Sequence, residues 1–200
     1  SSNDLPYCNI QRFREPANYV RAMAIMNQTS IDLEGKTVDD ENFKAFDVVK
    51  NGIITNSEIG VDDQRTTTLR NCEVYGAIVN AQNLVLEGTK GSLKSFNNLK
   101  QLVLSKNSTI SDGGYPFNLK NCAVKCYDST WNWPVSLADD NVTKHVEMLF
   151  VNSRITNTTL DIKDIDVQNS SIVNANINVY PYYEDGRFRY KLRIRDSFVN

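Results

Sequence analysis

Five cations occupy alternate positions near one end of the chain. They are Arg187, Arg189, Lys191, Arg193 and Arg195, with Phe188, Tyr190, Leu192 and Ile194 between them. Cations at period two stand about 7 Å apart along an extended strand and can grip an anionic polymer through charge-assisted contacts. Tyr180 and Tyr182 precede them and could stack on the rings of such a ligand. The same charges could instead guard a sheet edge against aggregation, or meet acidic segments of a neighbouring protein. Trp131 and Trp133, the chain's two tryptophans, lie in Trp131-Asn132-Trp133-Pro134 ahead of an acidic stretch. They could form a platform for a sugar or an anchor for a partner, although packing beneath a loop is the commoner use of such a pair. These nine residues are the candidate binding set.

Carboxylates are the remaining source of chemistry. Glycoside cleavage needs only two at a suitable separation. The candidates are Asp39-Asp40-Glu41, Asp62-Asp63, Asp139-Asp140, and Asp164 with Asp166, although adjacent acids usually sit in turns. His145 is the only histidine, and Lys144-His145-Val146-Glu147 carries no nucleophile motif, so a hydrolase triad is not indicated. Metal sites built on several histidines are excluded, and Asp112-Gly113-Gly114-Tyr115 reads as a turn rather than a phosphate loop. Cys8, Cys72, Cys122 and Cys126 follow no disulfide or zinc spacing and read as buried thiols. No catalytic residue, metal or cofactor is expected.

Elements must position these groups, and composition narrows which. The 200 residues carry a net charge of −2, so a nucleic-acid partner is not expected and any basic function is local. No apolar run is long enough for a transmembrane helix. The start lacks the charged and apolar regions of a leader, and the end falls hard against a strand, which suggests a piece of something longer. Asparagine is the outlier, with 24 copies. Together with Ser, Thr, Val and Ile it favours turns and strands.

One helix is expected over 16–28, with Pro16 in its first turn and Tyr19, Val20, Met23 and Met26 as its apolar stripe. Beyond it a phrase recurs: Asn or Asp, a small residue, a variable one, then an apolar, mostly β-branched one. It reads Asn56-Ser57-Glu58-Ile59, Asn71-Cys72-Glu73-Val74, Asn107-Ser108-Thr109-Ile110 and Asn121-Cys122-Ala123-Val124. It returns at Asn152-Ser153, Asn169-Ser170 and, loosely, Asp196-Ser197. Such a phrase suits stacked coils, with Asn tolerating a left-handed corner and its amide bonding the amide one coil away. Cys72 and Cys122 would then share one internal column of small residues.

On those residues the stretch 46–178 resembles a right-handed parallel β-helix of phage tailspikes, bacterial surface adhesins and polysaccharide lyases. The resemblance implies that the helix caps the first coil. A leucine-rich-repeat solenoid is the alternative for 84–124, where Asn98-Leu99-Lys100-Gln101-Leu102-Val103-Leu104 fits half of that repeat's consensus.

The C-terminal stretch has its own register. Asp185-Gly186 is a strong hairpin signal, and folding about it pairs residues whose numbers sum to 371. Tyr183, Pro181, Val179 and Ile177 then face Phe188, Tyr190, Leu192 and Ile194 on one buried side, with the cations on the other.

The expected organisation is mostly β: an N-terminal segment with a capping helix (1–45), a solenoid (46–175) and a C-terminal hairpin (176–200). The expected function is a non-catalytic structural and recognition module of a virion fibre, tailspike or bacterial surface protein, outside the cell. A polysaccharide-degrading enzyme with a carboxylate pair and a purely structural subunit are the alternatives. Expected partners are further copies of the chain, in a trimer for a fibre, or neighbouring structural proteins, with a surface glycan as a further candidate. Membrane insertion is not expected.

Overall fold

The computed structural model describes residues 15–119, 121–137 and 146–200. Cys8, Asp139-Asp140 and His145 fall outside them. Within them the chain winds into stacked coils whose strands pair in parallel with their equivalents one turn away, apart from one short antiparallel hairpin near the far end.

The first face stacks nine strands, from Ser30–Asp32 through Thr66–Arg70, Gln101–Ser105 and Asp164–Gln168 to Lys191–Arg195. The second runs from Thr37–Asp39 through Glu73–Val79 and Thr130–Asn132 to Phe198–Val199. A narrower third face pairs Asn42–Phe43 with Glu58–Ile59 and, near the far end, Thr159–Ile162 with Asn176–Val179. Single bridges from Phe117 to Val135 and from Val135 to Leu160 continue it between.

Alternation explains the stacking. On the first face Ile31, Val49, Leu69, Leu86, Leu104, Cys126, Phe150, Val167 and Ile194 lie one above another. All but the last are buried. Each presents one inward side chain that cannot be covered within its own coil, so burial comes from the coils above and below. Coil length varies, because insertions fall at the turns. One coil takes 17 residues, from Leu69 to Leu86, and another takes 27, from Val167 to Ile194.

The corners carry the asparagine signal. Among the described residues, thirteen of the fifteen non-glycine residues at positive φ are Asn or Asp, the residue types that tolerate this region best. Asn51, Asn71, Asn107, Asp128, Asn152, Asn169 and Asp196 mark the corner between the first and second faces. Asn56, Asn157 and Asn174 mark the next corner. Amides bridge successive coils as expected: Asn51 Nδ2 donates to Asp32 at 3.2 Å, Asn174 Nδ2 to Asn157 at 2.7 Å, and Asn152 to Asp128.

Just inside the first corner runs a column that the repeated phrase foreshadows: Cys72, Thr89, Ser108, Ser129, Ser153, Ser170 and Ser197. Each hydroxyl accepts the backbone N–H of its equivalent one coil earlier, at 3.0–3.2 Å. The Ser and Thr hydroxyls also donate to a carbonyl, as Ser129 does to Tyr127 at 2.7 Å. A corner turns the backbone N–H out of the sheet ladder, and the hydroxyl supplies the partner it would otherwise lack. Cys72 belongs to this column, but Cys122 does not. Cys122 opens a strand of the first face and pairs with Val146. The two look alike in sequence because both follow Leu-x-Asn, yet Asn71 leads out of a first-face strand whereas Asn121 leads into one.

The helix Pro16–Ile25 covers the first coil. Tyr19 and Val20 are buried in the common core, and the Tyr19 hydroxyl donates to the Asp32 carbonyl at 2.7 Å. At the other end the hairpin register holds at the turn only. Tyr182 pairs with Arg189, Tyr183 with Phe188 and Glu184 with Arg187, all antiparallel. Beyond that turn the expectation is corrected. Asn176–Val179 lies parallel on Thr159–Ile162, and Lys191–Arg195 lies parallel on Asp164–Gln168. The hairpin is thus an excursion between two faces of the last coil, and coils run from Ser30 to Val199. The leucine-rich-repeat alternative also fails, because Gln101–Ser105 is followed by the strand Thr109–Ser111 within a stack of parallel strands.

Candidate functional site

Asp164–Gln168 and Lys191–Arg195 share one alternation with opposite charges. Asp164 lies opposite Lys191 and Asp166 opposite Arg193, while Ile165 and Val167 carry Leu192 and Ile194 on the inward side. The coil below is therefore acidic outside and apolar inside, and the last coil basic outside and apolar inside. Like-oriented side chains on neighbouring strands interact, so opposite charges there favour this pairing.

No coil lies above the last one among the described residues. Leu192 and Ile194 rest on the core beneath them yet remain 48% and 41% exposed. Phe198 and Val199 on the second face are 61% and 62% exposed. The backbone is open as well. The Lys191 N–H donates to Lys163 and the Arg195 carbonyl accepts from Asn169, both in the coil below. In a parallel ladder alternate residues point to opposite neighbours, so Leu192 and Ile194 turn their N–H and C=O groups to the open side. The site is the unfinished end of a sheet stack, with a row of cations along one margin.

The candidate residues fall into three groups. Lys191, Arg193 and Arg195 lie on the last strand of the first face, exposed and side by side. Arg187 and Arg189 are exposed on the hairpin, so the five cations do not form one straight stripe. Of the tyrosines, Tyr180 is exposed beside the strand ends, whereas Tyr182 is buried at 8%. Its phenol is pushed above the ordinary range by that burial, and secondarily by Glu184 and Asp164. At the hairpin the expected buried side is therefore not the buried one: Tyr182 alone is buried, and the residues around it are exposed. Tyr183 and Phe188 face outward, in edge contact with ring centroids 5.5 Å apart.

Trp131 and Trp133 leave the candidate set, since both are fully buried. Their rings stack at 6.0 Å, with Phe117, Phe96 and Phe150 packed against them. Trp131 Nε1 donates to the Trp133 carbonyl and Trp133 Nε1 to the Tyr115 carbonyl, both at 2.6 Å. A wide coil needs large rings to fill it, and every indole donor has a partner. The pair is core.

Several of the candidate acids have structural partners. Thr55 and Asn56 donate to Asp39 and hold its carboxyl below the usual range. The Arg65 backbone N–H and guanidinium do the same for Asp63. Ion pairs between coils join Arg70 to Glu87 at 2.8 Å and Lys90 to Glu73 at 3.1 Å. Among the described residues, no group of His, Cys, Asp and Glu is placed to hold a metal ion. Cys72, Cys122 and Cys126 are free and buried.

Sequence reasoning overlooked the exposed apolar residues of the last coil. Strict alternation marks Leu192 and Ile194 as inward without saying whether anything covers them. No protein-family model, curated protein or solved structure matches the chain, so the geometry alone carries the functional reading.

Proposed function

We propose that the chain is a non-catalytic structural and recognition module, one rigid length of a larger assembly of the virion-fibre, tailspike or bacterial-surface kind. The observation that supports this reading is the stack itself, two faces of parallel strands from Ser30–Asp32 to Phe198–Val199 with rows of outward side chains. The work of such a module is to hold spacing and to join, and its rows of outward side chains are available for recognition along the way.

The competing class is an enzyme that cleaves polysaccharide with a carboxylate pair. Incubation with a panel of acidic and neutral surface polysaccharides, read by release of reducing ends, separates the two. The module reading predicts no release. Release that disappears in Asp164→Asn or Asp39→Asn contradicts it.

A further inference from the structure

We infer that Asn51 is a site of spontaneous deamidation that the closed stack holds shut, so that its modification records an opening of the first coils. Asn51-Gly52 is the chain's single Asn-Gly pair, and packing imposes it. An added Cβ at Gly52 would lie 2.5 Å from Leu33 Cβ and 2.9 Å from the Lys36 carbonyl oxygen. The corner before it is left-handed, with Asn51 at φ 61, and so favours Asn. At the other described corners Cys, Ser, Thr, Ala or Gln follows the asparagine, and a Cβ shields the next backbone nitrogen. Gly52 offers no such shield.

In the reaction the Gly52 nitrogen gives its proton to water and attacks Asn51 Cγ. The new N–Cγ bond closes a cyclic imide, the Cγ–Nδ2 bond breaks, and Nδ2 takes up a proton and leaves as ammonia. Water then opens the imide at either carbonyl, leaving aspartate or isoaspartate at position 51. In the closed stack these atoms are kept off that path from both sides. Asn51 Nδ2 donates to Asp32 Oδ1 at 3.2 Å, and the Asn51 carbonyl accepts from the Gly35 N–H at 2.7 Å. On the other side the Asn51 N–H donates to the Arg70 carbonyl at 3.0 Å and the Gly52 carbonyl accepts from Glu73 at 2.9 Å. The Gly52 N–H is turned toward the Cys72 sulfur. Ring closure must rotate the peptide between Asn51 and Gly52, which breaks bonds to the coils on either side. The rate therefore follows the population in which these coils have parted.

The product does not restore the corner. Aspartate at position 51 sets a second carboxylate against Asp32, where an amide donor stood, and like charges repel. Isoaspartate adds a methylene to the main chain where the stack fixes register. Opening is thus made permanent.

The test incubates the intact protein at mildly alkaline pH, folded and in urea, and locates deamidation by peptide mass mapping and isoaspartate-specific enzymatic labelling. In the unfolded chain Asn51 should react faster than any other asparagine. In the folded protein it should react at least about tenfold more slowly than that. Asp32→Ala frees Nδ2 and Val20→Asp loosens the helix over the first coil. With folds checked by circular dichroism, each should speed the reaction in buffer and leave the rate in urea unchanged. Deamidated protein returned to buffer should exchange fast at the Ile31 and Val38 amides while Leu102 and Leu104 stay slow. Equal rates folded and unfolded, a faster asparagine elsewhere in the unfolded chain, or parental rates in both variants overturns the inference. Deamidated protein that regains the parent's protection at Ile31 and Val38 overturns it as well.

Discussion

At the residue scale a column of small polar groups satisfies the corner N–H groups that the apolar core cannot. Ser153 accepts the N–H of Ser129 at 3.2 Å and donates to the carbonyls of Cys126 and Val151. Ser153→Ala leaves that buried N–H without an acceptor, at a cost of about 1–3 kcal/mol. Ser153→Cys should cost less, because Cys72 occupies the equivalent place in another coil. Urea unfolding of the two variants checks the order. The buried thiols give a pH signature. Burial pushes Cys122 and Cys126 from 9.0 up to about 12, so both stay protonated in the folded protein while the unfolded chain ionises them from about pH 9. Their contribution is complete below that pH and is lost as pH rises from about 9 toward about 12, by up to ~1.4 kcal/mol per thiol for each pH unit. The fall in urea midpoint between about pH 8 and about pH 11 should be shallower in Cys122→Ala/Cys126→Ala than in the parent, whatever its offset. The corner asparagines were legible in sequence because left-handed backbone restricts residue type. The fate of Trp131 and Trp133 was not, since two indoles before a proline look the same beneath a coil and above it.

At the element scale, alternation fixes which side of a strand faces in and leaves its partner open. Ile177 and Val179, like Leu192 and Ile194, satisfy the expected antiparallel pairing and the observed parallel stacking equally well. Only the Asp185-Gly186 turn is local enough to be specified by its own residues, and its three pairs follow the expected register. Two other elements make sharper predictions. The strand Lys90–Phe96 bends through Gly91, at φ +142, where an added Cβ would lie 1.7 Å from the Val74 carbonyl oxygen. Gly91→Ala therefore displaces a strand of the second face, and a loss of about 4 kcal/mol or an insoluble product is expected, read by unfolding or by soluble yield. The capping helix acts through Val20, which is 1% exposed. Val20→Asp puts a carboxylate in that contact at a cost of about 3 kcal/mol. The accompanying rise in amide exchange should begin at residues 30–39 and not at the far end of the stack.

At the scale of the whole molecule, each coil contacts its neighbours, so stability is set by how many coils are covered on both sides and how the ends are finished. The repeat was visible in the sequence, and its irregular spacing now has a cause. Insertions such as the excursion from Tyr180 to Tyr190 lengthen turns without disturbing the stacked strands. What covers the ends was not visible, because coverage is a relation between coils and no one coil encodes it. Among the described residues the stack is closed at one end and open at the other, and site-resolved amide hydrogen exchange on the isolated monomer is the measurement that shows it. Amides of the central strands, such as Leu102, Leu104, Met148 and Phe150, should be the slowest to exchange, those under the helix at Ile31 and Val38 nearly as slow, and those of Leu192, Ile194 and Val199 fast. Slow exchange at Leu192 and Ile194 in the monomer, or a first coil that exchanges as quickly as the last, would contradict the account.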